Sequence, residues 1–71
     1  MNDTPKLKSP DEILRAALVK ETQARDFYAG VAADCRIEIV RELVEKLKDE
    51  ETKHIRMIEA MMTRLSLGRR V

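Results

Sequence analysis

Apolar residues recur through this chain at steps that alternate three and four, and that rhythm limits the fold more than any other feature. From Ile37 the series runs through Val40, Val44, Leu47, Glu51, His54, Ile58, Met61 and Leu65. Ahead of it, Leu14, Ala17, Glu21, Ala24, Tyr28, Val31 and Cys35 keep the same spacing. A mean period near 3.5 belongs to helices packed side by side with a left-handed twist. A strand's period of two fits neither segment. Ile13, Leu18, Phe27, Leu43, Ile55, Met57 and Met62 flank the two series. They widen the apolar face beyond what one neighbouring helix covers.

Local signals place the helix ends. The first nine residues are polar and are expected to be disordered. Ser9-Pro10-Asp11-Glu12 then reads as a helix start: Ser9 as the cap, Pro10 at the first helical position, Glu12 as the returning carboxylate of a capping box. Gly68 is a natural C-terminal stop. A break near Asp34-Cys35-Arg36 carries neither glycine nor proline. The spacing predicts helix 1 over about 10–33 and helix 2 over about 36–67. Together they form one all-α unit over 10–71, an antiparallel hairpin whose broad apolar face is matched by a second hairpin in a four-helix bundle.

Size makes the same demand. A chain of 71 residues rarely buries enough surface to fold without a staple, and one cysteine excludes an internal disulfide. That leaves a metal, a partner chain, or both. The 14 basic and 13 acidic residues leave no electrostatic footprint for nucleic acid. No uncharged apolar run approaches the roughly 20 residues that span a bilayer. The opening MNDTPKLKSP lacks the apolar segment of a secretory signal, and with a lone thiol it points to a cytoplasmic, reducing location.

Three polar residues interrupt the apolar series: Glu21, Glu51 and His54. An unpaired carboxylate on such a seam costs several kcal/mol or is neutralised by a pKa shift. With a turn centred near Arg36, Glu21 lies 15 residues before it and Glu51 15 after. At about 1.5 Å per residue, both sit roughly 22 Å from the turn, at one level of an antiparallel pair. His54 follows Glu51 by three residues and shares its face. One hairpin thus offers a Glu opposite a Glu-x-x-His, half of the set that holds two metals in di-metal carboxylate bundles. A twofold dimer would complete the set. Four carboxylates against two divalent cations make the loaded centre formally neutral. Carboxylate and imidazole without thiolate suit iron or manganese, with zinc as a further substitute.

These residues carry a family resemblance. KETQARDFYAGVAADC followed by VRELVEKLKDEETKH resembles the ferritin-like superfamily, above all the rubrerythrin-type helix pair with its Glu-x-x-Ala-x-x-Phe-Tyr and Glu-Glu-x-x-His patterns. The two-helix length and the 30-residue spacing of the glutamates are most similar to the encapsulated ferritins, over about 11–65. The resemblance implies a ferroxidase that binds Fe(II) at a di-iron centre shared by two chains and oxidises it for storage or detoxification. Glu21, Glu51 and His54 would be its metal ligands and catalytic residues, Glu51 would bridge the metals, and Tyr28 would lie beside them. It also implies a homodimer, in some relatives part of a larger ring, working inside an encapsulin nanocompartment. The tail SLGRR is similar to a shell-targeting peptide. Encapsulated ferritins commonly carry acidic residues flanking the helix-1 ligand that draw iron inward; here Lys20 and Gln23 stand in those places.

A second reading of the same residues is a non-catalytic hairpin dimer, an adaptor or regulatory module whose polar cluster only sets register. Met57, Met61 and Met62 read as core filler, Cys35 as a turn thiol, and Glu50 as a solvated neighbour of the ligand.

Overall fold

A computed structural model describes residues 9–68. The expected disorder of the N-terminal segment falls on residues outside that range, apart from Ser9. Arg69 and Arg70 of the SLGRR tail also lie outside it. Two helices, α1 (Pro10–Asp34) and α2 (Glu38–Gly68), make an antiparallel hairpin with no strand among the described residues. They extend about 37 and 46 Å at the standard rise.

The ends follow the local chemistry. Ser9 is extended, its Oγ accepts from the Glu12 N–H at 3.1 Å, and its carbonyl accepts the first helical bond from Ile13 at 3.1 Å. Pro10 opens the helix where its missing N–H costs nothing, and Asp11 and Glu12 complement the positive end of the helix dipole. The break is Cys35–Ile37, one residue later than expected. Cys35 leaves the helix with φ −77° and ψ 126°, while its N–H still donates to the Val31 carbonyl at 2.9 Å. No described residue outside glycine has positive φ, so the turn needs no glycine. The Ile37 carbonyl accepts from the Arg41 N–H at 2.9 Å and starts α2 two residues after the expected 36.

Packing splits the expected helix-2 series in two. Val44 and Ile55 are buried, and Ile58, Met62 and Leu65 half-buried, so these residues with Lys48 and Glu51 form the seam against α1. Val40, Leu47 and Met61, from the same expected series, are 41%, 37% and 41% exposed. The cause is geometric. An apolar face wide enough for two neighbours contains two adjacent 3.5-residue seams, and one partner helix covers only one of them. The uncovered seam, Leu43, Leu47, His54, Met57 and Met61, lies about a quarter turn round α2 from the buried one. Ile13 and Phe27 of α1, 50% and 65% exposed, turn to the same side of the hairpin.

The buried core of the described residues is just Ala32, Val44 and Ile55, against eleven exposed large hydrophobics. So much uncovered apolar surface on so small a core is unusual for a hairpin that folds alone. No described helix is long and apolar enough to cross a membrane.

Candidate metal centre

Antiparallel packing sets the level of each polar residue. Glu21 is near the middle of α1, and Glu51 and His54 occupy one face near the middle of α2. The hairpin brings all three together. His54 Nδ1 lies 2.8 Å from Glu51 Oε1 and 3.4 Å from Glu21 Oε2. One donor atom from each residue falls within 4.8 Å of the other two. Bonds of about 2.0–2.2 Å to one cation put neighbouring donors roughly 3 Å apart, so His54 already stands at ligand separation from Glu51 and needs only a small closure on Glu21.

The three are graded in exposure. Glu51 is the most enclosed, with 17% of its side chain exposed, then Glu21 at 30% and His54 at 48%. The carboxylates back onto the buried seam, while the imidazole reaches the uncovered one. The cluster therefore opens on the face that the hairpin cannot cover by itself.

Electrostatics in the metal-free chain follow. The His54 pKa is raised, first by its hydrogen bond to Glu51, then by that to Glu21, and by both charges, against partial desolvation. The Glu21 carboxyl is held below its usual range, first by its hydrogen bond with Glu51, then by the hydrogen bond and charge of His54, with desolvation opposing. A proton on the imidazole thus occupies the position of a cation between two carboxylates. Exchanging it for a divalent ion adds charge where negative charge is concentrated. Oxygen and imidazole donors without sulfur fit iron or manganese.

Other residues stand apart from the cluster. Tyr28 is half-buried but two turns from Glu21, about 10.5 Å along the axis, and its ring meets Phe27 edge-on at 5.6 Å. No hydrogen bond joins Tyr28 to the three donors among the described residues. Cys35 is about 21 Å along α1 from Glu21, with Sγ 3.5 Å from the Ile37 carbonyl. Glu50 pairs with Lys53 at 3.4 Å, both well exposed. Lys48 is a polar residue on the buried seam that a period drawn through Leu47 leaves out. Its Nζ meets Glu45 at 2.8 Å, which raises its pKa and satisfies the ammonium without the cluster. The step of four from Val44 and three to Glu51 is the sequence signal for its placement.

The family model for rubrerythrin matches residues 12–71, nearly the whole chain. No curated protein and no solved structure matches it. The matched span contains both helices and all three donors, and the chain belongs to the rubrerythrin family of the ferritin-like superfamily.

Proposed function

We propose that the chain is half of a ferroxidase, binding Fe(II) at a centre that two copies share. The observation that carries this reading is the convergence of Glu21, Glu51 and His54 at the uncovered apolar face. Membership of an iron-binding family supports iron as the ion. A register-setting cluster would be satisfied by one buried ion pair. Three convergent donors that share one imidazole nitrogen are better matched to a cation.

One hairpin supplies three ligand side chains. A second copy, packed on the uncovered face, doubles the set to four carboxylates and two imidazoles and covers the apolar residues at the same time. With neutral imidazoles the ligands carry four negative charges, which two divalent ions cancel. By the family resemblance Glu51, also the most enclosed of the three, would bridge them. Iron is the substrate. Each Fe(II) gives one electron to dioxygen or peroxide and leaves as Fe(III); with peroxide, two Fe(II) and two protons convert one H₂O₂ to two waters. Mn(II) and Zn(II) fit the same donors. Tyr28, two turns from Glu21 on the turn side, lies outside the ligand set. A four-helix dimer encloses no cavity for mineral, so storage requires a surrounding shell of the encapsulin kind, and detoxification does not.

Mixing the metal-free protein with Fe(II) in air tests the reading. Near-ultraviolet absorbance of Fe(III) should grow much faster than in buffer alone. His54→Ala should reduce the rate to background, because it removes a ligand from both halves of one centre. Oxidation by His54→Ala at the wild-type rate, at equal protein concentration, would exclude the assignment.

A further inference from the structure

Beside its buried contact with α2, α1 carries a second seam. Ile13, Ala17, Lys20, Ala24, Phe27 and Val31 follow one another at steps of four and three, and Lys20 is the only charged member. Ile13, Lys20 and Phe27 are exposed, and Ala17, Ala24 and Val31 half-buried. An ammonium group thus interrupts an apolar series at its centre, seven residues from Ile13 and seven from Phe27. Its own chain gives it no counter-charge. The residues three and four positions away are Ala16, Ala17, Gln23 and Ala24, none of them acidic. Lys46, Lys48 and Lys53 each have at least two carboxylates at those spacings, and Lys48 and Lys53 form ion pairs with one of theirs. Lys20 makes no ion pair among the described residues.

The level of Lys20 points to a counter-charge in a second copy. A twofold axis across the uncovered face sets two α1 helices antiparallel. Ala17 and Ala24 straddle the peptide bond after Lys20 at equal distances, so small residues meet when the helices cross there. Equal rise then brings Lys20 level with the partner's Glu21. That crossing is also the level of the donor cluster, because Glu21 meets His54 across the hairpin. With neutral imidazoles, the metal-free dimer gathers four ligand carboxylates at this level. Two ammonium groups at its rim halve that charge.

We propose that Lys20 is a built-in counter-cation of the metal-free dimer: its ammonium pairs with the carboxylate of the partner's Glu21, helps hold the two chains together before metal arrives, and yields that carboxylate to the cation. The assignment rests on the shared-centre reading and adds a contact between chains to it. Lys20 touches no metal. Its charge acts in opposite directions on two equilibria. It favours the empty dimer, whose carboxylates repel one another, and opposes the loaded one, whose carboxylates are already neutralised.

Those opposite signs are the test. Sedimentation equilibrium of the full chain with a chelator present gives the metal-free association constant. Co(II) titration followed by visible absorbance, at concentrations where the dimer is complete, gives the affinity of the centre. Two pairs per dimer, each with the modest weight of an exposed ion pair, imply that Lys20→Gln weakens metal-free association roughly three- to thirtyfold. The same variant should bind Co(II) more tightly, and Lys20→Arg, which keeps the charge, should follow wild type in both measurements. The difference in metal-free association between wild type and Lys20→Gln should close towards about 1 M salt, where the screening length falls to about 3 Å. A purely structural role would weaken both equilibria and leave that difference in salt. Unchanged metal-free association in Lys20→Gln, or weaker Co(II) binding by its dimer, would overturn the assignment. If Lys20→Gln dimerises too weakly to measure, Lys20→Arg decides: association at the wild-type level supports the role of the charge, and its loss overturns it. A wild-type chain that stays monomeric with and without Co(II) removes the shared centre, and this contact falls with it. A wild-type dimer that binds Co(II), beside a Lys20→Gln that matches it throughout, removes the contact alone.

Discussion

His54 joins two carboxylates through one ring nitrogen, so protons and cations compete for the same atom. Glu21, with its depressed pKa, stabilises the metal-free fold above its ordinary value of 4.5, and that contribution is lost as pH falls through the lowered folded value. His54, with its raised pKa, contributes fully below 6.5, and its contribution is lost as pH climbs through the raised folded value. The metal-free cluster is thus most favourable between those two values. A cation has the opposite preference, since it needs the imidazole unprotonated and the carboxylates ionised. Thermal melts without oxygen should show a gain from Fe(II) that grows from about pH 5.5 to about 7.5, while the metal-free melting temperature gains nothing from this cluster over the same interval. A larger Fe(II) gain at the acid end of that interval would contradict the ligand set. At the far end of α1, Cys35→Ser should leave iron oxidation within about twofold of wild type, since the thiol is about 21 Å away. A large loss in a folded, equally assembled variant would bring the thiol into the chemistry.

Each helix draws its start from local chemistry and its burial from its neighbour, and the two are unequally legible in the sequence. Ser9, Pro10 and Glu12 announce the start of α1 because capping needs only residues within one turn. Ser9→Ala should cost about 0.5–2 kcal/mol. Chemical denaturation should show this as a lower midpoint at unchanged slope, and no change would mean the cap is replaced by solvent. The level of Glu21 against Glu51 and His54 follows from helical rise and the position of the turn, so the donor cluster can be read from residue spacing alone. The division of the broad face cannot. Periodicity counts apolar residues but does not say which of two adjacent seams the chain's own helix takes. Val44 and Ile55 pack on α1, leaving Leu47 and Met61 uncovered, and Lys48 enters the buried seam with Glu45 as its partner.

At the scale of the whole molecule, the hairpin falls short of a self-sufficient structure in two senses. It buries only Ala32, Val44 and Ile55 of the described residues and exposes a seam fit for another helix pair. It also gathers two carboxylates and an imidazole beside that seam, with His54 reaching it, too few donors for a closed metal centre and too much charge for a bare apolar contact. In the proposed dimer both deficits are met by one event, the arrival of a second copy. Folding, dimerisation and metal binding should therefore be linked, because an ion that binds only the assembled form draws the equilibrium towards it.

Sedimentation velocity over a dilution series, with and without Fe(II) in the absence of oxygen, measures that linkage most directly. The shared-centre structure predicts dissociation into largely unfolded chains at low concentration without metal. With Fe(II), it predicts a compact dimer or larger ring that persists to much lower concentration and carries one iron per chain. A compact, folded monomer holding one tightly bound Fe(II) at every dilution would contradict it.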